Sequence, residues 1–139
     1  MNKQIRRFLG AALKQMLVEA TGRPIGLMSV PTEHPEMPYA VLFPMNTIPR
    51  EEDWSDPEGQ FRYMFQLSCV GGTHEQVTAM SERGMEALIA RNPNGSFVTP
   101  LVIEGITIIN RKLDQLGVIV ASGTGRIYTS PDAYSIEVM

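Results

Sequence analysis

The stretch QFRYMFQLSCVGGTHEQVTAM, residues 60–80, decides the fold class. Its first half alternates. Phe61, Tyr63, Phe65, Leu67 and Cys69 share one face of an extended chain, and Arg62, Met64, Gln66 and Ser68 share the other. This is a strand with one apolar face. Gly71-Gly72 then turns the chain, and the period changes. Thr73 and Gln76 have the spacing of a capping box. Val77, Met80, Gly84, Ala87 and Leu88 follow at helical steps. Ser81 and Gly84 are small, which lets such a helix lie close to a sheet. The turn-forming run RNPNGS, residues 91–96, ends it.

Toward the N-terminus, Ile5, Phe8, Leu9, Ala12, Leu13, Met16, Leu17 and Ala20 form the stripe of a first amphipathic helix. Asn2 can cap its start, Gly22 can take the left-handed position after its end, and Pro24 forbids continuation. Lys3, Arg7 and Lys14 fall along another face, with Arg6 beside them. That face is either simply solvated or a basic strip for an acidic partner. Residues 25–30 read as a short strand and PTEHPEMP, residues 31–38, as a rigid loop. Residues 39–43 read as a second strand stopped by Pro44, with flanking prolines that suit an edge or abrupt ends. Residues 46–59 read as a long polar loop, a feature compact domains seldom carry without a function.

Toward the C-terminus, residues 97–104, 106–113, 118–121 and 134–139 read as strands, with SGTG and TSPDA as separators. The expected fold is α+β: an antiparallel or mixed β-sheet packed by two helices. Residues 1–139 make a single domain with a long loop at 46–59. No internal repeat or composition break marks a second domain.

The 139 residues suit one core, and 43 % hydrophobic residues match a globular chain. A net charge of −3 and a pI near 5.4 argue against a general nucleic-acid binder, which needs a concentrated basic surface. With Cys69 the only cysteine, no internal disulfide can form. The N-terminus is basic then apolar like a signal peptide, but Lys14 and Glu19 interrupt it, and no segment approaches the ~20 apolar residues of a membrane span. The expectation is a soluble protein that works or is assembled inside a cell.

Candidate chemistry is sparse. His34 lies between Glu33 and Glu36 on a proline-stiffened loop, without the convergent ligand spacing of a zinc site. His74 falls in the first turn of the second helix and reads as a surface residue. Cys69 continues an apolar row and reads as a buried structural thiol, and no G-x-S-x-G elbow is present. SGTGRIY, residues 122–128, has a G-x-G but no following helix, so a hairpin loop accounts for it better than a dinucleotide site. Asn94-Gly95-Ser96 matches a glycosylation sequon and reads as a turn. Glu51, Glu52, Asp53, Asp56 and Glu58 crowd one loop without the alternation of a calcium loop, and Trp54 sits among them. These acids are either solvated, or pair with a basic helix of another subunit, or repel DNA phosphates; an exposed Trp is a common interface anchor. Binding or assembly is better supported than catalysis.

The layout also resembles a known family. LGAALKQMLVEATGRPIGLMSVP runs into MPYAVLFPM; a long loop, the aromatic strand FRYMFQLSCVGGTHEQ and the helix VTAMSERGMEALIA follow, and the chain ends in YSIEVM. This order is similar to that of tail terminator proteins of long-tailed, siphovirus-type phages of actinobacteria, over most of residues 5–91. PYAVLFP and VGGTHEQ are its most specific pieces. The resemblance implies a structural virion protein of the tail and neck, assembled in the host cytoplasm, that forms a homohexameric ring. The ring would stop growth of the tail tube and present a surface to the head-completion or stopper protein. DNA would pass through it without sequence-specific binding, and no enzyme activity, cofactor or membrane association is expected. Trp54, Glu51, Glu52, Asp53 and Asp56 on one side, and Lys3, Arg6, Arg7 and Lys14 on the other, are the candidate interface residues. The alternatives are another head–tail connector or stopper, or a small ligand-binding domain betrayed by a polar pocket with a perturbed titratable group.

Overall fold

The computed structural model describes the backbone of residues 3–49 and 61–138 and the side chains of residues 7–45 and 62–138. The element order is α1 (Lys3–Thr21), β1 (Ile25–Leu27), β2 (Tyr39–Pro49), β3 (Phe61–Gly71), α2 (His74–Ile89), β4 (Ile108–Gln115), β5 (Val120–Ala121) and β6 (Tyr128–Val138). The strands form one six-stranded sheet in the order β1-β2-β3-β6-β4, with β5 also on β6. β1 pairs with β2 in parallel and the other pairings are antiparallel, so the sheet is mixed. This is the expected α+β domain with two helices.

The alternating row of β3 turns one face inward: Tyr63, Phe65, Leu67 and Cys69 have no exposed surface. Phe65 stacks on Tyr134 of β6 with ring centroids 5.6 Å apart. Leu9, Leu13, Met16 and Leu17 of α1 and Val77, Met80, Ala87 and Leu88 of α2 join the same core. Both helices therefore cover one face of the sheet. On the opposite face Tyr39, Val41 and Val70 make a small second cluster with Met37. The buried stripe of α1 is narrower than its periodicity predicts, because Phe8 stays half exposed and Ala20 lies open. Gly22 does take the left-handed conformation after α1, at φ 67°, and its N–H donates to the Val18 carbonyl. Thr73 caps α2 by accepting from the Gln76 amide, while the Gln76 side chain accepts from the Gly72 amide. The close approach expected of α2 is real: a Cβ on Gly84 would lie 2.7 Å from Leu67 Cδ2.

Four expectations are corrected. The second strand does not stop at Pro44; β2 continues to Pro49, with a register irregularity between Pro44 and Thr47, so residues 46–49 belong to a strand and not to a loop. Pro44 is tolerated because β1 pairs only with residues 40–42, leaving an edge where a missing N–H costs no ladder bond. The first strand is shorter than 25–30, because Met28 adopts φ 64° immediately after Leu27. Residues 97–104 are not a strand. Their contacts are isolated bridges, Arg91 to Phe97 and Ile103 to Ile106, and the Thr99 carbonyl is taken by the Arg111 side chain instead of a ladder. Finally, TSPDA is no turn but the first half of β6. Pro131 fits there because β6 changes neighbour at that point, from β4 alongside residues 133–138 to β5 alongside Tyr128 and Thr129. Gly117 crosses in the gap so closely that a Cβ on it would lie 2.4 Å from the Pro131 carbonyl oxygen.

Candidate functional site

The residues singled out from the sequence do not converge on one described site. Arg7 and Lys14 are exposed on α1. Lys3 and Arg6 lie in the same helix, with side chains outside the described residues. Trp54, Glu51, Glu52, Asp53, Asp56 and Glu58 also lie outside the described residues. His34 and His74 are exposed, and no metal-holding group of His, Cys, Asp and Glu occurs among the described residues. SGTG closes the β5–β6 hairpin, where Ser122 donates to the Ile127 carbonyl and Gly125 sits at φ 68°. No described helix is long and apolar enough to cross a membrane.

Two polar centres went unread in the sequence, and both are interior. The first is Asp132 on β6, which has no exposed surface. Its Oδ2 accepts from Ser81 Oγ of α2 at 2.6 Å and from the Cys69 thiol at 3.8 Å. Its Oδ1 accepts from the Gly117 amide at 2.8 Å and from Ser130 Oγ at 3.0 Å. The carboxylate thus joins β3, α2, β6 and the β4–β5 connection with neutral donors. Burial pushes the Cys69 pKa up, and the Asp132 charge and hydrogen bond add to it. A thiol held protonated in the core is no nucleophile, which agrees with its place in the apolar row. Burial likewise raises the Tyr134 pKa, with Asp132 and then Cys69 contributing. The signal for Asp132 was present: Ser130 and Asp132 extend the alternation of Tyr134, Ile136 and Val138 backward by two steps.

The second centre is Arg111 on β4, 5 % exposed. Its Nη2 donates to the Thr99 carbonyl at 2.6 Å, and its Nη1 to the Leu88 carbonyl at 3.3 Å and Met16 Sδ at 3.7 Å. The Phe97 ring lies 4.1 Å from the Arg111 guanidinium and 4.2 Å from that of Arg91. Burial, and then the Arg91 charge, lowers the Arg111 pKa. Buried arginines read as surface residues in a sequence, so nothing in IINRKLDQ announced this one.

The described surface has two open grooves of about 460 Å³ each. One runs between α1, at Ala12, Met16 and Ala20, and residues 98–102. The other lies beside Arg23, Pro38 and the start of α2. Neither is lined by Cys69, Arg111 or Tyr134, the groups with shifted ionisation. Larger apolar side chains are exposed at Val102, 88 %, and Val118, 76 %.

No family model and no curated protein matches the sequence. Solved structures do match the fold. A chain from the virion of a native gene transfer agent (GTA) particle is 16 % identical, with a TM-score of 0.71 over 99 % of this chain and 98 % of that one. A second solved chain is 17 % identical, with a TM-score of 0.60 over 100 % of this chain and 96 % of that one. The chain therefore shares its whole fold, end to end, with a protein found in a phage-like particle.

Proposed function

We propose that this chain is a structural protein of a phage-like virion, forming a ring that terminates the tail tube and joins it to the head-completion proteins. The observation that carries the reading is the end-to-end fold match with a chain of the gene transfer agent virion. The interior location of the polar centres supports it further. Among the described residues the groups with perturbed ionisation serve packing, whereas ligand-binding sites commonly place such a group in a groove. A ring needs two different faces per subunit. The basic strip of Lys3, Arg6, Arg7 and Lys14, and the segment of Glu51, Glu52, Asp53, Trp54 and Asp56, are proposed as those complementary faces. Charge matching of this kind sets register and specificity more than affinity. DNA passes through the ring without being read.

Co-assembly tests the reading. Purified protein is mixed separately with tail-tube protein and with portal or adaptor complexes. A terminator caps tube ends and halts their growth. Binding to the portal side alone would reassign the chain to a connector or stopper, and binding to neither would overturn a role in the neck.

A further inference from the structure

The irregular segment between α2 and β4 has no strand ladder, yet it holds a defined position. We infer that residues 97–102 form a strap latched by Arg111, which opens and closes against α1 independently of the sheet.

The strap is held at few points. The Val98 amide donates to the Ala90 carbonyl at 2.9 Å, and Leu101 rests partly on the core. Phe97 adds an isolated backbone bridge to Arg91, and the other polar contacts of the strap run through arginine side chains. Arg111 grips the Thr99 carbonyl and packs under Phe97, and Arg91 covers the other side of that ring. Arg91 is itself tied to the Gly95 carbonyl and to Asn110 Oδ1 of β4. Among the described residues neither arginine forms an ion pair with a carboxylate, and Arg111 Nε has no hydrogen-bond partner. A buried cation satisfied only by carbonyls and a ring face is a weaker anchor than one that is paired and fully bonded.

The strap is also one wall of the groove beside α1. Val98 is 50 % exposed and Val102 88 % exposed, and Ala12 and Ala20 line the helix side. The groove, about 460 Å³ and lined on the helix side by Gln15 and Glu19 as well as these alanines, leaves room for the strap to move inward and bury the valines. Met16 links the two sides, since it lines the groove and its sulfur accepts from Arg111 Nη1 at 3.7 Å. Arg111 is thus a positioning residue for the groove wall, and the inference stands whether or not the chain belongs to a virion.

Hydrogen exchange on the full chain tests this, comparing residues 97–103 with β3 and β6 in Phe97→Ala, Arg111→Lys and Arg111→Met. Lysine cannot hold two carbonyls and stack on Phe97 at once. Each variant is expected to speed exchange of the strap amides about tenfold or more while the β3 and β6 amides keep their protection. Phe97→Ala leaves both Arg111–carbonyl bonds in place, so it decides the matter if the Arg111 variants do not fold. Strap amides that exchange at the wild-type rate in Phe97→Ala would overturn the inference. So would strap and sheet amides that accelerate together, because the strap would then have no motion of its own.

Discussion

Asp132 concentrates more polar structure than any other described side chain, and its removal exposes what it holds. Asp132→Ala leaves Ser81, Ser130, Cys69 and the Gly117 amide without their common acceptor. The expected loss is about 1–3 kcal/mol in urea unfolding, because buried neutral donors are left unsatisfied. The Tyr134 hydroxyl presents the opposite case. It is buried and meets no partner among the described residues. Tyr134→Phe is therefore expected to be neutral or stabilising by up to about 1 kcal/mol, and a clear loss would reveal an overlooked partner. Cys69 and Tyr134 also set the alkaline limit. Both have folded pKa values raised above the ordinary 9.0 and 10.0. Above those values the unfolded chain releases protons that the folded chain retains, so stability is full below about pH 9 and declines as pH rises. Unfolding midpoints measured from pH 7 to 11 should fall on the alkaline side, and native Cys69 should resist thiol reagents throughout the neutral range. At this scale the sequence was half legible. Cys69 was read correctly because its row alternates without a break. Asp132 is hidden because Thr, Ser, Pro and Asp in series are turn residues by composition, and only the long-range pairing with β3 makes them a strand.

Elements were legible where period and capping agreed. The turn from β3 into α2 was read residue by residue, since alternation, the Gly pair and the Thr73 cap all point the same way. Thr73→Ala should cost about 1 kcal/mol in thermal unfolding, the usual worth of an N-cap. Elements were misread where side chains take over backbone bonding. Residues 97–104 are apolar enough for a strand, but Arg111 claims the Thr99 carbonyl, and the two exposed valines have no sheet to join. β6 provides a sharp test. Gly117→Ala places a methyl group against the backbone of Pro131, which cannot retreat without breaking the β3–β6 ladder. The expected loss is about 2 kcal/mol or more, larger than any propensity effect at an irregular position. Equal stability of the variant would mean that the 116–119 connection can move aside freely.

For the whole molecule, the one-sided sheet bears on the proposed assembly. Both helices cover one face, while β2, β3 and β6, each eleven residues long, span the other. The proposed pairing of α1 with residues 51–56 makes a separate prediction. Changing Glu51, Glu52 and Asp53 together to Lys should abolish self-association at low salt, and a variant that associates with unchanged salt dependence would exclude the pairing. The measurement that bears most directly on the central claim is native mass combined with electron microscopy of the purified protein, alone and with tail-tube protein. A closed ring of about six copies, seated on tube ends when tube protein is supplied, is expected. A protein that stays strictly monomeric even beside tube protein would contradict it.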